Sequence, residues 1–248
     1  MGAVSDVPDG YEAYAAERSA PRFTDWLQAR SEPAWSDAVD GRFVRELGAG
    51  TLEETVFADY LVQDYAVVDA LVGAFGHAVS QAPDMAARRP LVTFLETVTD
   101  DEDDYFRRTF EALSVPAERW RDPEPTSETA AFCDLLGRAA HEGGYAETLA
   151  VLVPAEWVYE SWATAVADAR GDETSPPSAG ADLPAYYAEW VDLHAVPSFV
   201  EFVAWLRGQL DDVGPALSPR RRRRVERLFV RTIELEAAFF EAALEGSR

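Results

Sequence analysis

Residues 52–79 read LEETVFADYLVQDYAVVDALVGAFGHAV. Their apolar side chains recur every three or four residues, which is the period of one face of an α-helix. Five apolar residues lie seven, four and three positions before Asp64 and four and seven positions after it: Phe57, Tyr60, Leu61, Val68 and Leu71. The stretch therefore predicts a long amphipathic helix with a carboxylate in the middle of its apolar face.

The same period continues through the rest of the chain, and no convincing alternation of apolar and polar residues indicates a β-strand. The sequence therefore predicts an all-α protein, folded as a multi-helix bundle. Residues 171–182 form a predicted low-complexity loop. The predicted helices cover residues 11–30, 33–47, 52–79, 85–113, 127–142, 145–169, 184–194, 199–213 and 219–244.

Charge is the main compositional feature of the 248 residues. Acidic residues number 45 against 22 basic ones, for a net charge of −23. Such a surface repels phosphates, so we expect no nucleic-acid partner. Every basic residue is Arg, which favours adaptation to concentrated salt, although GC-rich coding predicts the same bias. The run Arg220–Arg224 is interpreted as a solvated helix start or as the partner of an acidic neighbouring subunit, and the acidic run Asp100–Asp104 as a hydrated face.

Domain organisation and location follow from simple features. The chain is expected to form a flexible N-terminal tail over 1–20 and a single helical domain over 21–248, because its loops do not separate regions of different composition. It shows no signal peptide and no apolar run of the roughly 18 residues that a membrane span needs. Cys133 is the single cysteine, which fits a reducing compartment. We therefore expect a cytoplasmic protein with no membrane partner.

A second carboxylate lies on a predicted buried stripe. Phe229, Ile233 and Phe240 flank Glu236 at helical spacing, just as apolar residues flank Asp64. Buried carboxylates are costly unless they are paired, so both residues are either structural or parts of an acid/base or metal site. Aromatic residues that could stack on a flat ligand accompany them, although such residues more often form core: Phe132, Trp157, Tyr159, Trp162, Tyr186, Tyr187 and Trp190.

Four short motifs, in order, are similar to those of the TenA family, the thiaminase II or aminopyrimidine aminohydrolase group. The resemblance extends from about Phe23 to Leu244 and implies a haem-oxygenase-like all-α fold. The motifs are Tyr60-Leu-Val-Gln-Asp64, similar to Y-L-x-Q-D; Leu152-Val-Pro-Ala-Glu-Trp-Val-Tyr159, similar to L-L-P-C-x-W-x-Y; Tyr187-Ala-Glu-Trp-Val191, similar to Y-x-x-W-I; and Glu236-Ala-Ala-Phe-Phe240, similar to E-x-x-F-W.

The resemblance implies roles for individual residues. Asp64 matches the carboxylate that binds the aminopyrimidine ring, and Glu236 matches the proton-transferring group. Tyr187 and Tyr159 match positions expected to line the pocket. Asp64 and Glu236 are thus selected twice, by helical phase and by family motif.

Departures from the family pattern concern the nucleophile and the pocket hydroxyls. Ala155 stands where the family has its nucleophilic Cys, while Val67 and Phe132 stand where it has tyrosines. Cys133 belongs to another helix and is interpreted as a core residue. These changes argue against thiamine cleavage and resemble a Cys-lacking branch of the family. Glu156, beside Ala155, is the additional candidate catalytic carboxylate.

The sequence therefore predicts hydrolytic salvage of an aminomethylpyrimidine derived from thiamine, or of a related N-acylated form. No cofactor or metal is expected, and the family resemblance implies a homo-oligomer, commonly a tetramer. Two alternatives stay open. One is a non-catalytic or regulatory protein that binds a flat small molecule. The other is a metal-dependent oxygenase on the same fold, for which only three histidines are present.

Overall fold

A computed structural model describes residues 7–171 and 183–246. This part of the chain is all α-helical, with one π-helical turn at Val98–Glu102. Residues 172–182, which include most of the predicted low-complexity loop, lie outside the described residues. The helices are α1 Tyr11–Ala16, α2 Phe23–Arg30, α3 Ala34–Val39, α4 Arg42–Gly48, α5 Glu54–Gln81, α6 Met85–Thr97, α7 Asp103–Ala112, α8 Ala117–Arg121, α9 Ser127–Glu142, α10 Tyr145–Gly171, α11 Ala185–Ala195, α12 Pro197–Val213 and α13 Pro219–Glu245.

Helix α10 lies at the centre of the bundle. It packs against α5, α9, α11, α12 and α13. Every residue from Ala146 to Val158 is buried, because neighbouring helices cover this part of α10 on all sides. Pro154 lies inside the continuous helix. The centre of the fold is thus a helix that carries the predicted Ala155-Glu156 pair.

Local chemistry explains where several helices begin. The side chains of Asp84, Thr126 and Ser218 accept hydrogen bonds from backbone N–H groups in the first turns of α6, α9 and α13. Such caps satisfy donors that have no partner within the helix. Pro197 and Pro219 occupy first-turn positions, where no intrahelical N–H is required.

Three of the predicted helices are divided, and the one over 85–113 forms α6, the π-helical turn and α7. The predicted helix over 11–30 forms α1 and α2, with Pro21, which lacks a backbone N–H, in the connection. The predicted helix over 33–47 forms α3 and α4, separated at Gly41. A Cβ atom on Gly41 would lie 2.2 Å from the Asp37 carbonyl oxygen, so this close approach requires glycine.

The N-terminal segment differs from the predicted flexible tail in the part that is described. Tyr11 and Tyr14 of α1 are buried, and the Trp26 indole N–H donates to the Pro8 carbonyl at 3.0 Å. Tyr11 packs edge-on against Phe23, with ring centroids 5.1 Å apart. Residues 1–6 lie outside the described residues. Aromatic packing therefore holds α1 against α2.

The arginine run at the start of α13 makes ion pairs within its own chain. Arg221 binds Glu147, Arg222 binds Glu12 and Arg224 lies 3.9 Å from Glu142. The side chains of Arg221 and Arg224 remain 50% and 39% exposed, as a solvated helix start predicts, whereas that of Arg222 is only 12% exposed. Pairing of this run with a neighbouring subunit stays a prediction. The acidic partners of these three arginines come from helices distant in sequence, which the local charge pattern does not reveal.

Candidate active site

A cavity of about 1140 Å³ lies between α5, α6, α10, α11, α12 and the π-helical turn, with α9 and α13 contributing residues to its wall. It contains seven of the eight predicted site residues: Asp64, Val67, Phe132, Ala155, Glu156, Tyr159 and Glu236. These residues come from four different helices. The tertiary structure thus brings together side chains that are up to 172 positions apart in the sequence.

Asp64 is held by a pair of tyrosines. The Tyr159 hydroxyl donates to Asp64 Oδ1 at 2.8 Å, and the Tyr60 and Tyr159 hydroxyl oxygens lie 2.9 Å apart. Burial raises the pKa of Asp64 from 3.8 to about 7, and the hydrogen bond from Tyr159 opposes this rise. Asp64 can therefore change protonation state near neutral pH.

Glu236 is the most deeply buried of the predicted catalytic residues, with 1% of its surface exposed. Its Oε2 atom has no hydrogen-bond partner among the described residues. Burial raises the pKa of Glu236 well above its ordinary value, and the charges of Asp64 and Glu156 add to the rise. An unpartnered carboxyl group in the wall of a cavity is suited to exchange a proton with a bound ligand or water.

Glu156 follows Ala155 on α10, and both residues line the cavity. Burial raises the pKa of Glu156 well above its ordinary value, and Glu102 and Asp64 raise it further. Ala155 is 6% exposed and presents only a methyl group to the cavity, at the position that the motif resemblance matches to the family thiol. The cavity thus has a second proton-holding group beside Ala155.

Glu102 is the fourth carboxylate of the cavity whose pKa is raised by burial, and the sequence did not single it out. It ends the π-helical turn, and burial together with the charge of Asp64 raises its pKa from 4.5 to about 8. The interpretation of Asp100–Asp104 as a hydrated face is therefore wrong at Glu102. Helical spacing could have indicated the burial of Glu102. The buried residues Val98, Tyr105 and Phe106 lie four positions before it and three and four positions after it, on the same face of a helix.

His194 of α11 is a further cavity residue that the sequence analysis did not select. Its Nδ1 lies 2.9 Å from the Trp190 carbonyl oxygen, which can only accept a hydrogen bond. Burial lowers the pKa of His194 from 6.5 to about 4, although the bond to Trp190 opposes this change. His194 is therefore a neutral imidazole at pH 7, protonated on Nδ1, with Nε2 as its acceptor.

Tyr187, which was expected to form a pocket wall, does not line the cavity. It is buried in the core, where its hydroxyl donates to the Leu52 carbonyl at 2.8 Å and its ring packs against Phe57. His194 lies seven residues later on α11 and does line the cavity. The prediction for Tyr187 was wrong because a short motif on α11 does not specify which turn of the helix lies against the cavity.

Other aromatic residues and the single cysteine belong to the core or the surface around the cavity. Trp157 packs against Trp35 with ring centroids 4.6 Å apart, and Arg207 lies 3.5 Å from its ring centroid. Of the aromatic residues proposed to stack on a ligand, Phe132 and Tyr159 line the cavity. Cys133 does not, although Phe132 beside it does, and burial raises the pKa of its thiol.

The electrostatics of the cavity favour acid/base chemistry and cationic ligands. Four carboxyl groups face one apolar space, so protons are held at pH values where isolated carboxylates would be ionised. A protonated amine placed among these groups would stabilise their ionised forms. Within residues 7–171 and 183–246, no group of three or more His, Cys, Asp or Glu side chains is arranged to hold a metal ion, and no helix is long and apolar enough to cross a membrane.

Comparison with known sequences identifies similar proteins along nearly the whole chain. Residues 28–246 match the profile of the family described as TENA/THI-4/PQQC. An aminopyrimidine aminohydrolase of Halalkalibacterium halodurans is 25% identical over 221 residues, which cover 89% of this chain and 95% of the relative. A protein with the same name from Helicobacter pylori is 22% identical, over 90% of this chain and 99% of its own length.

Solved structures share the fold. A TenA homologue from P. horikoshii OT3 superposes with a TM-score of 0.76 at 25% identity, covering 91% of this chain and 99% of its own. A protein described as a TenA family transcription regulator, from Silicibacter sp. TM1040, superposes with a TM-score of 0.78 at 22% identity, over 89% of this chain and 96% of its own. The described helices therefore form the haem-oxygenase-like bundle that the sequence predicts.

Proposed function

The chain belongs to the TENA/THI-4/PQQC family, and we propose that it hydrolyses an aminomethylpyrimidine without a cysteine nucleophile. The names of the aminohydrolase relatives suggest an aminopyrimidine substrate, and the family resemblance implies that this pyrimidine derives from degraded thiamine. The observation that supports this proposal is that Asp64, Glu156 and Glu236 line one cavity together with Ala155, which the resemblance matches to the family's nucleophile.

Binding would begin at Asp64. Its ionised carboxylate accepts hydrogen bonds from the exocyclic amino group of the pyrimidine ring, while Tyr159 fixes the other side of the carboxylate. Phe132 and Val67 add apolar wall for the ring. A ligand amine that donates to Asp64 also favours the ionised form of this residue, whose pKa is raised to about 7 in the free protein.

The chemical step would be direct displacement by water. The water oxygen bonds to the ring methylene carbon as the bond from that carbon to the amine nitrogen breaks. One ionised carboxylate, Glu236 or Glu156, accepts a proton from the water, and a protonated neighbour donates one to the departing amine. Hydroxymethylpyrimidine and ammonia are the products. Raised pKa values in Glu156 and Glu236 keep one proton available near neutral pH.

The test is incubation of the purified protein with 4-amino-5-aminomethyl-2-methylpyrimidine and, separately, with thiamine, in concentrated salt. We expect hydroxymethylpyrimidine from the aminopyrimidine alone. Glu236→Gln should abolish product, whereas Glu234→Gln should not, because Glu234 lies two residues earlier on α13 with 47% of its side chain exposed. Product from thiamine would contradict the expectation, drawn from Ala155, that this cavity does not cleave thiamine.

A binding protein without turnover is the second candidate. It is favoured by Ala155, Val67 and Phe132, which together replace one thiol and two hydroxyl groups by apolar groups in the cavity wall. Calorimetry would then show saturable binding of the aminopyrimidine while chromatography shows no product over the same incubation.

We also propose, from the family resemblance, that the chain forms a homo-oligomer, most simply a tetramer. Light scattering in concentrated salt should give a multiple of the 27.4 kDa chain mass. A mass of one chain over the whole concentration range would contradict this proposal.

A further inference from the structure

The cavity extends well beyond the space that a single-ring amine requires. Its volume of about 1140 Å³ is that of a site for a drug-sized ligand, for which cavities of about 300–1,000 Å³ are typical. The proposed aminopyrimidine has only ten non-hydrogen atoms. Part of the cavity is therefore available to a substituent on this amine.

A continuous series of rings leads away from the carboxylates along one wall. We call His194, Phe199, Phe94, Phe202 and Trp205 the aromatic row, and all five line the cavity. His194 lies 5.0 Å from the Tyr159 ring and 5.2 Å from the Phe199 ring, measured between centroids. The row therefore begins beside the tyrosine that binds Asp64.

The outer part of the aromatic row comes from α6 and α12. Phe199 and Phe94 lie 6.1 Å apart, and Phe94 stacks on Phe202 at 4.1 Å with an interplanar angle of 12°. Trp205 continues the series 5.8 Å from Phe202. Phe202 and Trp205 are half-buried, so the end of the row has surface available for contact. A flat apolar group is the chemical class that such a wall favours.

Charge at the opening restricts which apolar groups can enter. Five further carboxylates line the cavity, and all of them except the half-buried Glu189 are exposed to solvent: Asp101, Asp104, Glu189, Asp192 and Glu201. Among the described lining residues the arginines are Arg89 and Arg108, and Arg108 is already bound to Glu189 at 2.8 Å and to Asp104 at 2.7 Å. Arg170, which does not line the cavity, pairs with Asp192 at 3.1 Å. The remaining charge is negative, and the net charge of −23 adds to it. An anionic substituent would be repelled both at the opening and by the inner carboxylates.

We propose that the substrate carries an uncharged flat apolar group on its aminomethyl nitrogen, and that this group lies along the aromatic row. This inference rests on the proposed function and specifies its substrate class as a secondary amine that is protonated in solution. Hydrolysis breaks the same bond, between the methylene carbon and the amine nitrogen. The water oxygen bonds to the methylene carbon attached to the pyrimidine ring, and the bond from this carbon to the amine nitrogen breaks. The proton released by the water is taken up by the departing primary amine.

Three ligands test the proposal by calorimetry on the complete protein in concentrated salt. They are 4-amino-5-aminomethyl-2-methylpyrimidine, its N-benzyl derivative and its N-(4-carboxybenzyl) derivative. Burial of one phenyl group predicts that the benzyl compound binds about 10- to 100-fold more tightly than the unsubstituted amine. The carboxybenzyl compound, which has nearly the same shape, should lose most of this gain.

Variants locate the added group. Trp205→Leu and Phe202→Leu should reduce the benzyl gain about tenfold and leave binding of the unsubstituted amine unchanged. Val200→Ala is the matched control, because Val200 lies on the same helix and does not line the cavity. Equal affinities of the three ligands for the unmodified protein would overturn the inference without the need for any variant.

Failure of the inference is distinct from failure of the proposed function. If the unsubstituted amine binds and reacts but the benzyl group adds no affinity, the aromatic row does not hold a substituent and the inference is wrong. If none of the three ligands binds, both the proposed function and this inference are wrong.

Discussion

The Tyr159 hydroxyl donates a hydrogen bond of 2.8 Å to Asp64 Oδ1 and thereby joins the centre of α10 to the centre of α5. The bond stabilises the ionised form of a carboxylate that burial would otherwise keep protonated. It also occupies one oxygen of Asp64, so that the second oxygen is available to a ligand. The Tyr159–Asp64 hydrogen bond therefore affects both the charge of Asp64 and the orientation of its carboxylate in the cavity.

Removal of this bond should change the pH dependence of binding. Tyr159→Phe removes the donor, so the pKa of Asp64 should rise above its value of about 7. Because the ionised carboxylate is the proposed acceptor, aminopyrimidine affinity should increase with pH, and its midpoint should lie at higher pH in the variant. Calorimetric titrations from pH 5 to 9 measure this shift. Tyr60→Phe is the control, since it leaves the Tyr159–Asp64 bond intact.

Glu102 should decrease the stability of the ligand-free protein at high pH. Its pKa is raised from 4.5 to about 8 on folding, so its neutral form is favoured in the folded state. Below pH 4.5 Glu102→Gln should have nearly the same free energy of unfolding as the parent protein. The parent then loses stability as the pH rises from 4.5 to 8, and the variant should be more stable at pH 9 by about 2–4 kcal/mol.

Urea denaturation at pH 5 and pH 9 tests the role of Glu102. Asp101→Asn is the matched control, because Asp101 is the exposed neighbour of Glu102 in the same π-helical turn. A variant-to-parent difference that is the same at both pH values would show that Glu102 is not titrated by folding.

Restoration of the missing thiol should not by itself restore a reactive nucleophile. Ala155→Cys would place sulfur among Asp64, Glu102, Glu156 and Glu236, and these carboxyl groups oppose the formation of a thiolate. In a Cys133→Ser background, alkylation by iodoacetamide at pH 8 should be about tenfold slower than that of free cysteine. Rapid alkylation, or new cleavage of thiamine, would contradict the electrostatic description of the cavity.

The Arg221–Glu147 ion pair should stabilise the fold at neutral pH. Glu147 accepts hydrogen bonds from Arg221 at 2.6 and 2.9 Å and from the Gly144 N–H at 3.1 Å, and 3% of its side chain is exposed. Burial acts to raise the pKa of Glu147, but these donors outweigh it and hold the pKa below its usual value. Arg221→Ala should therefore lower the free energy of unfolding by about 2 kcal/mol.

The effect of Arg221→Ala has a defined pH dependence. The stabilisation is present above the ordinary pKa of Glu147 and is lost as the pH falls through its lowered folded-state value. Arg220→Ala, at the exposed neighbouring position, should change the free energy of unfolding by less than about 0.5 kcal/mol. Thermal and urea denaturation at pH 7 and pH 3 compare the two variants. Equal destabilisation by both would show that the ion pair has no specific role.

Helical periodicity was sufficient to predict the long helices and two of the buried carboxylates in the cavity. It predicted α5, α9, α10 and α13 within a few residues, because each buries an apolar face on neighbouring helices. The same phase argument selected Asp64 and Glu236, which do line one cavity. Applied to the acidic run Asp100–Asp104, it would also have selected Glu102, but the surrounding charges suggested a solvated surface instead.

The sequence by itself determined an all-α bundle, a strongly acidic chain and an alanine at position 155, because these depend on composition, local period and residue identity. Only the tertiary structure decided that His194 rather than Tyr187 faces the cavity, that Glu102 joins the other carboxylates, and that an aromatic row continues from them. Helix phase states which side chains share a face. It does not state how separate helices rotate and cross to enclose a common space, and that arrangement defines the site.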